Sequence, residues 1–156
     1  EIKAKEKGFA SALPELQAIF NRAGEKPKVR FFEGREGVAA IQRDILRSNA
    51  QEAMTFVSLD DALEAFPLRP DDQRRQAIAS IPKVRTLYTS RKGNVPVGGE
   101  HKQLSAEQYP FAGDISIYGD KIAMFTLREK LIAVLIESPE LAAGLRAIFN
   151  ALWDRV

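Results

Sequence analysis

From Lys28 onward the apolar positions change their spacing repeatedly, and each change marks an element. Val29, Phe31 and Phe32 run straight into Glu33-Gly34-Arg35-Glu36-Gly37, after which Val38, Ile41 and Ile45 recur at helical intervals. The pattern predicts a strand, a glycine turn and a helix over about 35–48, ended by Ser48-Asn49. Ala53 to Ser58 (AMTFVS) predicts a second strand. Ser58-Leu59-Asp60-Asp61 then caps a short helix that reaches Phe66 and stops at Pro67. Pro70-Asp71-Asp72 opens another helix, with acids in its positive first turn. Val84 to Thr89 (VRTLYT) reads as a third strand.

The next stretch, 90–113, is rich in glycine and proline and leaves room for one short strand, Glu100 to Leu104. A strong alternation follows. Ile115 and Ile117 alternate with polar neighbours, Gly119-Asp120 makes a two-residue turn, and Ile122 and Met124 resume the pattern. Leu131 to Ser138 (LIAVLIES) is almost continuously apolar, which suits a central strand covered on both faces. Ser138 and Pro139 open a last helix whose expected buried stripe is Leu141, Leu145, Ile148 and Leu152. Trp153 and Phe149 on that helix are expected to pack in a core or interface.

Residues 1–27 differ from this body. Phe9, Leu13, Leu16 and Phe20 form a narrow apolar stripe of the kind used for pairing helices, interrupted at Pro14 and stopped at Gly24. The expected organisation is a helical linker and dimerisation arm over 1–27, then an α/β domain over 28–156. Its sheet is mixed, and helices lie on both faces.

Composition narrows the function classes. The 156 residues hold no cysteine, so disulfide frameworks and thiolate chemistry are excluded, which fits a cytoplasmic protein. Of 23 Lys/Arg and 21 Asp/Glu, residues 1–28 carry six and four, leaving 17 of each sign over 29–156. A neutral body is a poor match for a surface that must neutralise many phosphates. A local excess remains: Arg69–Lys92 holds seven basic residues against Asp71 and Asp72. Such a run recognises an anion or an acidic partner, or more often forms a solvated face.

The glycine turn is the first candidate for chemistry. Gly37 is followed by Val38-Ala39 rather than Lys-Ser/Thr, and the third glycine of a dinucleotide loop is missing. Glu33 and Glu36 would also repel an anion from the helix start. A tight structural turn is the better reading, although a neutral polyol could donate to Glu33 or Glu36. His101 is the only histidine, and there is no G-x-S-x-G nucleophile motif. Asp60, Asp61, Asp71, Asp72 and Asp114 are possible ligands for a hard cation, but four of them stand where helix starts favour acids. No metal and no cofactor is therefore expected.

Three runs carry a family resemblance: KPKVRFFEGREGVAAIQRDIL, FAGDISIYGDKIAMFTLREKLIAVLIESPELA and LRAIFNALWD. Together they resemble the C-terminal half of TrmB-like transcriptional regulators, and LPELQAIFNRAG is similar to the linker after their winged helix-turn-helix. The resemblance implies a phospholipase D-like sandwich of a mixed sheet and flanking helices, used for effector sensing and dimerisation. The effectors of such regulators are often sugars. Hydrolases of that fold use a His-x-Lys-x4-Asp motif. The matching positions here are Ala112 and Asp114, which argues against hydrolysis; the alternative readings are a phosphodiesterase or nuclease whose site is assembled differently, and a dimerisation module with no ligand. The expected partners are a second copy, a small-molecule effector, and DNA reached only through a domain outside this chain. No membrane is expected to be a partner. Ligand-binding candidates sit at the carboxyl ends of the strands: Glu33, Arg35 and Glu36 after the first, Ser58 and Asp60 after the second, Arg91 after the third.

Overall fold

A computed structural model describes residues 5, 6, 8, 10, 12–15, 26–67 and 73–156. Most of the expected arm, with Phe9, Leu16 and Phe20 of its stripe, lies outside the described residues, as does 68–72. Residues 12–15 are helical, and Leu13 is exposed.

The body runs β1 (Lys28–Glu33), α1 (Gly34–Arg47), β2 (Glu52–Ser58), α2 (Leu59–Ala65), α3 (Gln73–Ala79) and β3 (Lys83–Thr89). It continues with β4 (Glu100–Leu104), β5 (Asp114–Tyr118), β6 (Lys121–Phe125), β7 (Ile132–Glu137) and α4 (Pro139–Trp153). Among the described residues these strands make one seven-stranded sheet in the order β1-β7-β6-β5-β2-β3-β4. Strands β2, β3 and β4 are mutually parallel, and every other neighbouring pair is antiparallel. It follows that β1, β2, β3, β4 and β6 all point their carboxyl ends to one edge. This mixed α+β sheet flanked by helices is the architecture expected from the alternation of periods.

Two apolar layers cover the sheet. On one face, Ile41 of α1 packs with Ala53, Tyr118, Ala123, Ala133 and Leu135, joined by Ile81 after α3. On the other face α4 buries Ala142, Phe149 and Trp153 against Met54, Leu87, Ile117 and Ile122. Phe149 meets Phe56 edge-on at 5.0 Å and stacks with Trp153 at 5.7 Å. The Arg85 guanidinium lies 5.4 Å from the Phe149 ring centre, and its Nη2 donates to Asn150 Oδ1 at 2.9 Å. Lys102 Nζ donates to the Trp153 carbonyl at 2.8 Å, so β3 and β4 each hold the close of α4.

The two glycines of the first turn do different things. Gly34 has φ 70°, which non-glycine residues rarely adopt. A Cβ on Gly37 would stand 2.6 Å from Phe32 Cβ, so its bare backbone is what lets α1 close onto β1. The turn is a packing device.

Two expectations need correction. The buried stripe of α4 is Ala142, Phe149 and Trp153, whereas Leu141 and Ile148 are exposed. The aromatic rings bury more area than the leucines and turn the helix toward themselves. Strand β7 is second from the edge rather than central. Ala133 and Leu135 are buried under α1, while the opposite side stays half-open because α4 crosses β5 and β6 instead.

Candidate functional site

The carboxyl edge of the sheet is built by three loops that follow or precede the strands. β2 ends at Ser58 and runs directly into α2, whose first turn carries Asp60 and Asp61. β3 ends at Thr89 and leads into Ser90, Arg91 and Lys92. Because β5 is antiparallel to β2, its first residue, Asp114, arrives at the same edge, and Ser58 N–H donates to the Gly113 carbonyl at 2.9 Å.

These loops enclose an open groove of about 460 Å³, with Ser58, Asp60, Asp61, Arg91, Lys92, Tyr109, Ala112 and Arg128 among its walls. Its order comes from two carboxylates. Asp60 Oδ1 accepts from Ser90 Oγ at 2.7 Å and Asn94 Nδ2 at 2.8 Å. Its Oδ2 accepts from the backbone N–H groups of Arg91 at 2.7 Å and Lys92 at 3.2 Å. Burial alone would raise the Asp60 pKa. The four hydrogen bonds outweigh it and lower the pKa from 3.8 to about 2. Asp61 is gripped by Arg128, with Nε at 2.9 Å from Oδ1 and Nη2 at 3.2 Å from Oδ2. That pairing holds its carboxyl below the usual range against the opposing effect of burial, and Ser58 Oγ also donates to it. The Ser58 hydroxyl thus serves Asp61 rather than a backbone N–H of the helix it precedes.

Three of the candidates named from sequence meet here: Ser58, Asp60 and Arg91. The other three do not line the groove. Glu33, Arg35 and Glu36 follow β1 at the same edge, but β7, β6 and β5 separate that strand from β2. Glu33 pairs with Lys130 at 3.3 Å, Arg35 lies 5.7 Å from the Phe66 ring centre, and Glu36 is exposed in the first turn of α1. Arg128 was missed by sequence reasoning, since its partner is 67 positions away and no local pattern links them.

The basic run is dispersed. Arg85 turns inward to Glu52 and Asn150, Lys83 reaches Glu52 at 3.3 Å, and Arg91 and Lys92 stay at the groove with Glu107 and Glu64 nearby. His101 is exposed on edge strand β4, its ring centre 5.9 Å from that of Tyr88 in an edge-on arrangement. Among the described residues no group of three His, Asp or Glu side chains is placed to hold a metal ion, and no helix is long and apolar enough to cross a membrane.

A seven-stranded mixed sheet with helices on both faces is the phospholipase D-like fold. By sequence, no protein-family model and no curated protein matches the chain. By structure, the chain is similar to TrmBL2, an archaeal chromatin protein with a described mode of DNA binding, at 21% identity and a TM-score of 0.55. That match covers 97% of this chain and 59% of TrmBL2, so the chain spans little more than half of that relative's length. It is also similar to Nuc, a phospholipase D family member from Salmonella typhimurium, at 14% identity and a TM-score of 0.58. The second match covers 83% of this chain and 95% of Nuc. Both likenesses are of fold, and they accord with the resemblance to the TrmB-like regulators.

Proposed function

We propose that this chain is a regulatory domain of a TrmB-like transcription regulator, which binds a small polar effector without hydrolysing it. The observation that carries the reading is the pairing of this fold with Ala112 and Asp114 at the places where the hydrolase motif would put histidine and lysine. Alanine cannot act as a nucleophile, and aspartate cannot stabilise a phosphoryl oxyanion. The groove interleaves Asp60 and Asp61 with Arg91, Lys92 and Arg128, a mixed array that suits the hydroxyls of a neutral polyol such as a sugar better than a strong anion. Glu33, Arg35 and Glu36 remain part of the proposed ligand set only through a separate contact at the same edge.

The chain pairs as a homodimer in this reading. Val29 and Phe31 stand opposite Ile136 and Val134 on the face that carries α4, and both are exposed together with Leu141 and Ile148. DNA is reached through a winged helix-turn-helix outside these residues, in line with the charge balance of 29–156.

A second reading, a phosphodiesterase assembled differently, has one observation in its favour: three cations line the groove. Hydrolysis of bis(p-nitrophenyl) phosphate separates the two. The regulatory reading expects release no faster than the buffer blank across pH 5 to 9. Turnover that disappears in His101→Ala would overturn it.

A further inference from the structure

A second space opens between the sheet and helices α1 and α3, lined by residues other than those of the polar groove. It is a cavity of about 500 Å³ among the described residues, in the range of small-molecule sites. Its walls are mainly apolar, with Val38 and Ile45 from α1, Ile78 from α3, Val97 from the loop before β4, and Phe125 and Leu127 at and just after the end of β6, while Gln42 and Arg75 stand among them. The floor is different. Thr55 of β2 and Ser116 of β5 are register partners in the middle of the sheet, and their hydroxyl oxygens are 3.1 Å apart. Ser116 Oγ donates to Asp114 Oδ1 at 3.0 Å.

Thr55 and Ser116 sit between buried neighbours, Met54 and Ile117, on the central strands, yet both remain half-buried. The cavity is what reaches them. A sheet face built only for packing would carry Val or Ile at such positions. The direction of the hydrogen bonds is also fixed. The single Ser116 proton goes to Asp114, so Thr55 must donate to Ser116. Both hydroxyl protons are then committed along the floor, and the Thr55 oxygen presents lone pairs to the cavity. An entering molecule meets acceptors there and mainly apolar carbon on the walls.

We propose that this cavity binds a small amphipathic molecule: an aromatic or aliphatic body with one hydroxyl or amino group that donates to the Thr55–Ser116–Asp114 floor. The site is chemically unlike the polar groove, and the proposal does not rest on the effector reading of that groove. It gives the domain a ligand class that sugars do not belong to.

The test uses p-cresol and toluene, which share a body and differ by the hydroxyl. Each is titrated into the methyl-labelled chain while the Ile45, Ile78, Val97 and Leu127 methyls are followed by NMR. Leu145 and Ile148, on the α4 face, serve as controls. Both probes should shift the cavity methyls saturably and leave the controls in place, with p-cresol about fivefold tighter, the preference one neutral hydrogen bond supplies. Thr55→Val and Ser116→Ala should each reduce that preference while toluene still binds, a result that also shows the variants are folded. The absence of saturable shifts at the cavity methyls, or equal shifts at Ile148, would overturn the site. A p-cresol preference untouched by both substitutions would overturn the role of the floor.

Discussion

Replacing Asp60 by Asn tests whether the groove is held open by one carboxylate. Asp60 accepts four hydrogen bonds, two from backbone N–H groups of the β3–β4 loop and two from Ser90 and Asn94. An asparagine keeps the shape but turns one acceptor into a donor. Whichever way the amide is turned, its NH2 faces groups that themselves donate. Hydrogen bonds to a charged acceptor contribute about 1.5–3 kcal/mol each when protected. Water reaches this groove, and the amide oxygen retains some bonds, so the expected net loss is about 1–2 kcal/mol. For a chain of this size that lowers Tm by about 2–8 °C.

The pH dependence adds a second, independent signature. The folded pKa of Asp60 lies below its unfolded value, so the unfolded chain binds more protons between about pH 4 and pH 2. The contribution of Asp60 is therefore complete above about pH 4 and is lost as pH falls toward 2. Differential scanning fluorimetry at pH 7 and at pH 3 measures both effects, and the gap between Asp60→Asn and the parent chain should narrow at the lower pH. Amide exchange at Arg91 and Lys92 should accelerate in the variant at pH 7, since those N–H groups lose their acceptor. Equal Tm values at pH 7 with unchanged exchange at both amides would refute the clamp.

Other substitutions probe the scaffold. Gly37→Ala drives a methyl to within 2.6 Å of Phe32 Cβ, and denaturant melts should show a loss of about 1–3 kcal/mol as α1 is pushed from β1. Phe149→Ala empties the centre of the α4 layer, and the same melts should register a loss of about 3–5 kcal/mol. Tyr118→Phe removes the hydroxyl that donates to Asp44 at 2.8 Å while Lys121 keeps its contact there, so the cost should stay near 1 kcal/mol.

Most of the element order was legible in the chain because local chemistry marks the boundaries. Ser138 followed by Pro139 starts α4 as expected, with Ser138 Oγ accepting from Leu141 N–H at 3.2 Å. The Gly119-Asp120 turn sets the register in which Tyr118 faces Lys121 across β5 and β6. The orientation of α4 was harder to read. Its sequence offers two apolar stripes, and only the presence of Phe56 and Arg85 on the sheet decides that the aromatic one is buried. The groove was half legible. Strand ends point to Ser58, Asp60 and Arg91, but no spacing rule says that three strands separate β1 from β2 or that Arg128 closes on Asp61. The cavity is a matter of shape between layers, which one-dimensional pattern does not encode.

The proposed function joins a phospholipase D-like fold to an ordered groove and to Ala112 and Asp114 at the places where the hydrolase motif is expected. Binding without turnover is the central claim. A thermal-shift panel of neutral sugars, sugar phosphates and nucleotides tests it most directly. A ligand at a hundred times its dissociation constant adds about 2.7 kcal/mol, or roughly 5–11 °C for a chain of this size. The account predicts a saturable shift from one class of neutral sugar that is lost in Arg91→Ala. A flat panel, or a shift confined to phosphodiesters that are then cleaved, would contradict it.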